Sequence, residues 1–441
     1  MAATYDMTTG KPAPLMRRFA IPIMFGSVLE IVYVMADGMI VGRLIGVDAF
    51  AAVGAAGFVL WAVFSIHHGI VSAFNSAFSQ RFGAKDGAGF RVSVAMAVWI
   101  VLVLGGLLGA VSFAATVPVL RLLNTPAEIL ADAQIYLHIN FAALPVIFFA
   151  ATVNAVLFAT GNSRIPSIVQ AASFILNVVF SILVVLFTPW GVMGVAAVTV
   201  VSRVLTCLFC LVYIYKNNII RLKMHDFRLD FAVLKKLIAL GLPIGIRDLP
   251  PALVSLLVLR QINSFGAAYI AGISAALKLY SLLFPWGEAF AAAIGTFAGQ
   301  NYGAKNYDRA ALGLRTGLKI MLVGAVVIIA AVAPFREFII SLFIVGDDAA
   351  LAIGVRQLSV LLIFLPTYYI AIAHRAYFPA VGNGFWPMIS GFLEAGTRLV
   401  TILVLPALIG EWGLYLTEVA GWPVMAVQLV LVRRLKACKL P

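Results

Sequence analysis

Residues 21–46, IPIMFGSVLEIVYVMADGMIVGRLIG, form an apolar stretch that carries two carboxylates, Glu30 and Asp37. About 20 apolar residues suffice for a helix to cross the ~30 Å hydrocarbon layer of a membrane. A charge at the centre of such a helix costs about 3 kcal/mol even on lenient scales, so two acids in one span indicate a function. Their spacing puts them roughly 20° apart around a helix and ~10 Å along it. This spacing predicts that both carboxylates face the same interior cavity of the protein. Pro22 removes a backbone donor and is able to bend this helix.

The composition of the chain predicts a polytopic membrane protein. Of its 441 residues, 63% are hydrophobic and 11% are charged, whereas soluble domains average about 25% charged residues. A hydropathy window of ~19 residues predicts twelve helices. The predicted spans are 18–42, 50–79, 92–117, 133–158, 166–187, 192–215, 236–263, 270–298, 312–333, 354–381, 387–408 and 413–432.

The distribution of Lys and Arg predicts the orientation of these spans. Twenty of these residues fall on one side of the predicted spans, and about four, namely Arg43, Arg121, Arg336 and Arg356, fall on the other. The Lys/Arg-rich side is expected to be cytoplasmic. Both termini are then cytoplasmic, and the polar N-terminus is an extension rather than a signal peptide. The net charge of +13 is therefore a topology signal, and a nucleic-acid partner is not expected.

The sequence repeats itself at an offset of 220 or 221 residues. QRFGAKD at 80–86 returns as QNYGAKN at 300–306, and ATGNSRIP at 159–166 returns as AVGNGFWP at 380–387. These repeats predict two six-helix halves: an N-terminal lobe at 1–215, a basic cytoplasmic linker at 216–236 and a C-terminal lobe at 237–441. Because each half starts on the same side, the repeat is parallel. The repeated segments are predicted to be Gly-hinged turns on the cytoplasmic side.

No enzyme motif is found along the chain. The sequence has no GxxxxGK[ST] phosphate loop, no HExxH and no second CxxC to pair with the one at Cys207 and Cys210, so neither ATP nor a cofactor is expected. Cys207 and Cys210 are interpreted as small core residues of a span, and Cys438 lies in the basic tail. An ion-driven secondary transporter is the natural remaining class. A carboxylate taken out of water, such as Asp37 or Glu30, needs a proton or a partner cation.

Polar residues elsewhere in the predicted spans are weaker candidates. His68 aligns with Glu288 at offset 220, and both are possible cavity-lining residues. For His68, a core position beside His67 is the favoured interpretation. Tyr33 and Met35 are further candidates for the wall of a cavity.

The C-terminal half contains several charged residues within predicted spans. Glu394 and Arg398 stand four residues apart on one helix and are expected to pair with each other. Arg247 and Asp248 are expected to neutralise each other locally. His374 is a further possible cavity-lining residue.

These features together resemble the multidrug and toxic compound extrusion (MATE) family over roughly residues 15–435. The first helix has Pro22, then Asp37 fifteen positions on, followed by VGRLIG at 41–46 and AAVGAAG at 51–57. The resemblance implies an all-α polytopic membrane protein with twelve transmembrane helices in two pseudo-symmetric six-helix bundles. It also implies export of organic, often cationic, compounds in exchange for protons or sodium, by alternating access of the two lobes.

The resemblance also implies a cation-coupling site in the first lobe. Asp37, Asn177 and Thr199 match three positions of that site, and they are the ligands of a possible sodium ion. The family has a further carboxylate on the fifth helix, four residues after the Asn, where this chain has Ser181. This departure favours protons over sodium. Glu30 also departs from the family, which has a neutral amide there, and is expected to replace the lost carboxylate. The resemblance implies that the first helix bends near Pro22.

Two other classes remain open. The first is a lipid-linked precursor flippase of the same wider superfamily, which is disfavoured by the twelve spans and the acids of the first one. The second is a membrane-embedded enzyme or receptor, for which the tandem repeat has no explanation. The expected exporter lies in the cytoplasmic (inner) membrane, binds small organic substrates within the lipid bilayer and is a monomer.

Overall fold

The computed structural model describes residues 4–344 and 346–435, and this part of the chain is almost entirely helical. Nine helices within it are long and apolar enough to cross a membrane, and counting each of three bent helix pairs as one span gives up to twelve candidate spans. The predicted all-α membrane fold is confirmed. Cys438 and the basic tail lie outside the described residues.

The described part of the first half contains seven α-helices. They are α1 (Pro12–Ile40), α2 (Val47–Gly83), α3 (Gly87–Leu122), α4 (Ala127–Ala142), α5 (Leu144–Ala159), α6 (Arg164–Phe187) and α7 (Gly191–Lys216). A linker containing a short 3-10 helix, Met224–Phe227, leads into the second half.

The second half contains ten α-helices. They are α8 (Phe231–Arg247), α9 (Leu249–Asn263), α10 (Ala267–Ser281), α11 (Phe284–Gly303), α12 (Tyr307–Val332), α13 (Arg336–Ser341), α14 (Asp348–Ala380), α15 (Phe385–Ile409), α16 (Glu411–Thr417) and α17 (Gly421–Arg434).

Three spans that the sequence predicted as single helices are broken in the structure. The pairs α4/α5, α10/α11 and α16/α17 bend by 51°, 40° and 45°. A proline stands in the first turn of the second helix of each pair, at Pro145, Pro285 and Pro423. Proline has no N–H to donate to the preceding turn, and its ring disfavours helical geometry in the residue before it. The hydropathy window averages over these residues and therefore missed the breaks.

The first helix continues through Pro22 and changes its winding only at its end. After Ile40, residues Val41–Ile45 form a π-helical turn, and Gly46 follows with φ 145°. Single π-turns of this kind are frequent at functional sites. The wide turn begins one helical turn after Asp37.

The repeated motifs have the same backbone geometry in both halves. Gly161 and Gly382 have φ 79° and 86°, and each following Asn N–H bonds the carbonyl five residues earlier at 2.9 Å. In the GAK turns the left-handed residue is the lysine, with φ 55° at Lys85 and 62° at Lys305. The prediction of a glycine hinge is therefore right for the GN turns and wrong for the GAK turns.

Contacts divide the chain into two compact units. The first contains Phe25–Gly241 with the described residues before Met7, and the second contains Met7–Met24 with the chain from Leu242 onward. The sequence-based lobes did not anticipate that residues 7–24 group with the second half. The core of the first unit is rich in fully buried aromatic side chains, including Phe74, Phe78, Phe141 and Phe148.

The N-terminal segment has specific partners within the second unit. The Met7 N–H donates to Oε1 of Gln300 at 2.8 Å, and the Asn301 amide donates to the Met7 carbonyl at 3.1 Å. Further along, Met16 is fully buried and packs close to Gly313 and Gly317 of α12. These contacts join the start of the chain to residues almost 300 positions away.

Glycines allow two helices of the second unit to touch. A Cβ atom at Gly272 of α10 would lie 2.6 Å from the Ala350 carbonyl oxygen of α14, and one at Gly354 would lie 3.1 Å from the Gly272 carbonyl oxygen. Helices in membranes associate through such small residues because lipid supplies no hydrophobic driving force between them.

Candidate functional site

Asp37 is a buried carboxylate in the last turn of α1. Its residue is 8% exposed, and its Oδ1 atom is buried without a hydrogen-bond partner among the described residues. A buried carboxylate oxygen without a donor is energetically costly. The site is therefore able to accept a proton or a cation at that atom.

A polar cluster between α6 and α7 contains two of the residues expected from sequence. The Asn177 side-chain amide donates to Oγ1 of Thr199 at 3.4 Å and to Oγ of Ser202 at 3.3 Å. The Ser181 hydroxyl donates to Oδ1 of Asn177 at 3.3 Å, and Thr199 also donates to the Val195 carbonyl at 3.1 Å. All four side chains are buried. Most of these bonds are long, so a bound ion could replace them at little cost.

Tyr33 connects Asp37 to this cluster. It stands one helical turn before Asp37 on α1, and its hydroxyl lies 3.4 Å from Oγ1 of Thr199. Its ring stacks on Phe174 of α6, with centroids 4.9 Å apart and planes 4° apart. Asp37 and Glu30 both lie near enough to Tyr33 to interact with it electrostatically. The structure therefore brings Asp37, Tyr33, Thr199 and Asn177 into one neighbourhood.

The other candidates on α1 are less buried than Asp37. Glu30 and Met35 are exposed, and Pro22 is half-buried. Glu30 thus shares the Tyr33 side of the helix with Asp37 but not its burial. In the described part of the chain, no three His, Cys, Asp or Glu residues are grouped so that they could hold a metal ion.

Three residues near Asp37 were not singled out from the sequence. Ser202 belongs to the polar cluster, and Tyr136 of α4 is near enough to Asp37 to interact with it electrostatically. Arg203 of α7 interacts in the same way with Tyr33 and lies over the Phe64 ring, 5.6 Å from its centroid. Arg203 could have been found from the sequence, because it stands four residues after Thr199 inside a predicted span, and charged residues are rare within spans.

Charged side chains of the second unit pair between helices. Arg247 forms two bonds with Asp248, at 2.7 and 2.8 Å, which confirms the expected local pair. The expected Glu394–Arg398 pair is wrong. Glu394 instead accepts from Arg375 of α14 at 2.9 Å, and Arg398 donates to Glu418 at 2.6 Å.

The remaining cavity candidates have different surroundings. Glu288 is exposed and accepts a hydrogen bond from the Tyr368 hydroxyl at 2.7 Å. His374 is buried, and its Nδ1 lies 2.8 Å from the Ile370 carbonyl oxygen. His68 is exposed, so its interpretation as a core residue is wrong. The buried member of that pair is His67, which stacks on Phe148 with centroids 4.1 Å apart. Cys207 and Cys210 are buried and free, as expected.

Comparison with known proteins identifies the family. The MatE family model matches residues 22–183 and again residues 243–404. The chain is 27% identical over 432 residues to the probable multidrug resistance protein YoeA of Bacillus subtilis, covering 95% of this chain and 92% of that protein. It is 27% identical over 411 residues to the probable multidrug resistance protein YpnP of the same organism, covering 92% and 88%.

A solved structure has the same fold. It is an outward-facing multidrug resistance MATE family transporter of the MOP superfamily, with a TM-score of 0.89, 22% identity and coverage of 98% of both chains. The protein is a multi-pass membrane transporter of small compounds and not an enzyme. It belongs to the MATE family of multidrug efflux transporters. Nothing in these comparisons supports the flippase alternative.

Proposed function

We propose that this protein exports organic, often cationic, compounds across the cytoplasmic membrane in exchange for protons, with sodium as the alternative ion. One observation carries the proposal: the buried Oδ1 atom of Asp37 has no hydrogen-bond partner in the part of the chain that the structure describes. Such a carboxylate is stabilised when it takes up a proton or a cation. Without that proton or cation, the buried charge costs free energy. The occupancy of Asp37 is then coupled to the conformation of the transporter.

The residues around Asp37 would tune this exchange. Tyr33 and Thr199 supply hydroxyl groups and Asn177 supplies an amide oxygen, which together form the possible sodium site. Asp37 is the only one of these four residues that carries a negative charge. A sodium ion favours several oxygens with compensating charge, and Ser181 adds a hydroxyl where a second carboxylate would be needed. This donor set favours the proton.

Pro22 is proposed as the point at which α1 bends. The border between the two compact units falls between Met24 and Phe25, two residues beyond Pro22 in a continuous helix. A proline at that point weakens the helix where its two ends pack into different units. The bend would accompany alternating access of the two lobes.

Glu30 is proposed to assist Asp37 from the exposed side of α1. It interacts electrostatically with Tyr33, so its charge acts on the same neighbourhood. Met35, His68, Glu288 and His374 are proposed as cavity-lining residues. Glu288 is the strongest of these, because its carboxylate is exposed within a span. We further propose that both termini are cytoplasmic, that the protein is a monomer and that it uses a coupling ion but no cofactor.

The test is efflux of a fluorescent organic cation from proteoliposomes under an imposed proton gradient or an imposed sodium gradient. Proton-driven efflux by the natural protein should be lost in Asp37→Asn, which keeps the shape of the side chain and removes its charge. Asp48→Asn is the matched control, because Asp48 is exposed in the first turn of α2. Full efflux by Asp37→Asn would refute the proposed role of Asp37.

Two further variants test the proposed roles of Glu30 and Pro22 one at a time. Glu30→Gln should shift the pH dependence of efflux, and an unchanged pH profile would remove Glu30 from the coupling mechanism. Pro22→Ala should slow transport, whereas Asp37 should still bind the coupling ion in this variant. Transport at the natural rate by Pro22→Ala would refute the bend.

A further inference from the structure

A cavity in the first unit lies apart from the Asp37 site. Its volume is roughly 470 Å³, and α3, α5, α7 and the linker form its walls. This volume falls within the ~300–1,000 Å³ range of pockets that hold small ligands. Val156 lies three residues from the end of α5 and Phe149 lies ten, so the cavity extends from ~5 to ~15 Å below that end at 1.5 Å per residue.

The walls that α3 and α5 give to this cavity are apolar. Valine, leucine, isoleucine and phenylalanine side chains line the cavity, together with the largely exposed Tyr215 in the last turn of α7. The one hydroxyl from α5, that of Thr152, already donates to the Phe148 carbonyl at 3.0 Å. No wall from α3 or α5 therefore offers a free polar group to a polar ligand. The occupant of this part must be a hydrocarbon chain or another apolar group.

The linker closes one end of the cavity and is fixed to α3. The Trp99 indole donates to the Phe227 carbonyl at 3.1 Å, and the Asp230 N–H lies 3.3 Å from the sulfur of Met96. Arg91 of α3 also pairs with Asp226 of the linker at 3.4 Å. These contacts hold the linker, which forms the rim of the cavity, against α3.

The rim carries two basic side chains, and no ion pair joins either of them to an acid among the residues that the structure describes. Arg221 and Lys223 of the linker line the cavity. The Arg221 Nε donates to Oδ1 of Asn218 at 2.6 Å, so its partner is neutral and holds the guanidinium in place. The two acids of the linker are engaged elsewhere: Asp226 accepts from the Lys223 N–H and contacts Arg91, and Asp230 caps α8.

We propose that this cavity binds one anionic phospholipid, with an acyl chain between α3, α5 and α7 and the phosphate at Arg221 and Lys223. An apolar groove beneath two uncompensated cations matches such an amphiphile. The linker lies on the side that the Lys and Arg distribution predicts to be cytoplasmic. Basic pockets between transmembrane helices on that side bind anionic lipid headgroups. The bound lipid would hold the linker against α3. This inference does not depend on the proposed coupling role of Asp37.

The experiment compares lipid-dependent stability in detergent for the purified full-length protein. Phosphatidylglycerol is titrated while the midpoint of thermal unfolding is measured. Phosphatidylcholine with the same acyl chains serves as the control without net charge. Glycerol phosphate serves as the control that has the headgroup but no acyl chains. The test variant is Arg221→Gln/Lys223→Gln. The matched control is Lys235→Gln/Lys236→Gln, which removes the same charge from α8, away from the cavity.

Phosphatidylglycerol should raise the midpoint of the natural protein, and phosphatidylcholine and glycerol phosphate should not. At about fivefold per basic residue, the apparent affinity should fall about 25-fold in the test variant. It should change by less than about twofold in the control. Equal losses in the two variants, or equal stabilisation by both lipids, would refute the site. Stabilisation by glycerol phosphate alone would identify an anion site without a lipid and would also overturn the proposal.

Discussion

Lys85 and Lys305 stand 220 residues apart and have nearly the same left-handed backbone, with φ 55° and 62°. In both turns the lysine N–H bonds the carbonyl three residues earlier, at 3.0 Å. The N–H of the next residue bonds the carbonyl five residues earlier, at 3.1 and 2.8 Å. This 6→1 bond is typical of a helix end that closes on a left-handed residue. Glycine is the residue that usually occupies such a position.

Lys305→Gly is expected to stabilise the protein. A left-handed conformation costs an L-residue about 1–2 kcal/mol and costs glycine nothing, while glycine loses more entropy on folding. The net gain should be about 0.5–1 kcal/mol, measured as a rise of the thermal midpoint in detergent. Lys235→Gly in the first turns of α8 is the control and should lower the midpoint. A lower midpoint for Lys305→Gly would show that the lysine side chain stabilises the turn.

Arg375→Met is expected to destabilise the second unit strongly. Arg375 and Glu394 have side chains only 12% and 14% exposed, and removing one member leaves the other as an unpaired charge. Breaking a buried pair of this kind costs about 3–5 kcal/mol. The double variant Arg375→Met/Glu394→Met should recover most of the loss. Chemical unfolding in detergent, monitored by helical circular dichroism, measures these differences.

Arg356→Met provides the control for that experiment. Arg356 and Glu411 form a 3.0 Å pair whose side chains are 50% and 46% exposed. Water and salt screen exposed pairs, which therefore contribute little to stability, so this variant should unfold almost like the natural protein. Equal effects of Arg356→Met and Arg375→Met would mean that burial does not determine the strength of the pair.

Ser181→Asp is expected to introduce sodium dependence. Ser181 is fully buried and its hydroxyl lies 3.3 Å from Oδ1 of Asn177, so an aspartate there would add a carboxylate beside that amide. Sodium should then stabilise the variant and drive its efflux. Ser181→Asn has the same bulk without the charge, and both substitutions carry a packing penalty of about 1–3 kcal/mol. Equal responses of the two variants to sodium would refute the role of the charge.

Asp226 is expected to make the docking of the linker sensitive to acid. Burial alone would favour its protonated form, but the Lys223 N–H together with His225 and Arg91 outweighs burial and lowers the Asp226 pKa below its usual 3.8. Because the folded state has the lower pKa, this stabilisation is complete above pH 3.8 and is lost as the pH falls through the lowered value.

Hydrogen exchange of residues 217–230, corrected for the intrinsic pH dependence of exchange, measures this loss. Exchange should rise below pH 3.8 in the natural protein, whereas in Asp226→Asn it should already be raised above pH 3.8 and should change less with pH. Asp308→Asn, a change at an exposed residue, is the control. A natural protein whose linker exchange does not depend on pH in this range would contradict the prediction.

The sequence was sufficient to predict an all-α membrane fold with the observed candidate spans, because each span needs only a long apolar segment. The breaks at Pro145, Pro285 and Pro423 were missed, although proline was visible, because hydropathy averages over a whole window. The GN turns were predicted correctly because glycine is the residue that a positive φ requires. Lys85 and Lys305 could not be found in this way, since lysine seldom adopts that conformation.

The candidate site was predicted less completely than the fold. Asp37 follows from the cost of a charge in a span, and the family resemblance supplied Asn177 and Thr199. Ser202 and Tyr136 could not be found because nothing in their local sequence distinguishes them from ordinary span residues. The Glu394–Arg398 prediction failed because spacing on one helix says nothing about competing partners on neighbouring helices, where Arg375 and Glu418 lie.

The contacts between Met7 and Gln300 have a consequence for biosynthesis. The two residues are separated by 293 positions, and at ~5–20 residues per second a ribosome needs roughly 15–60 s to make the intervening chain. Met7 must therefore wait for its partner while the eight candidate spans between the two residues are synthesised. A gene divided within the linker would give a second fragment that lacks residues 7–24, and its unit would be completed only by the other fragment.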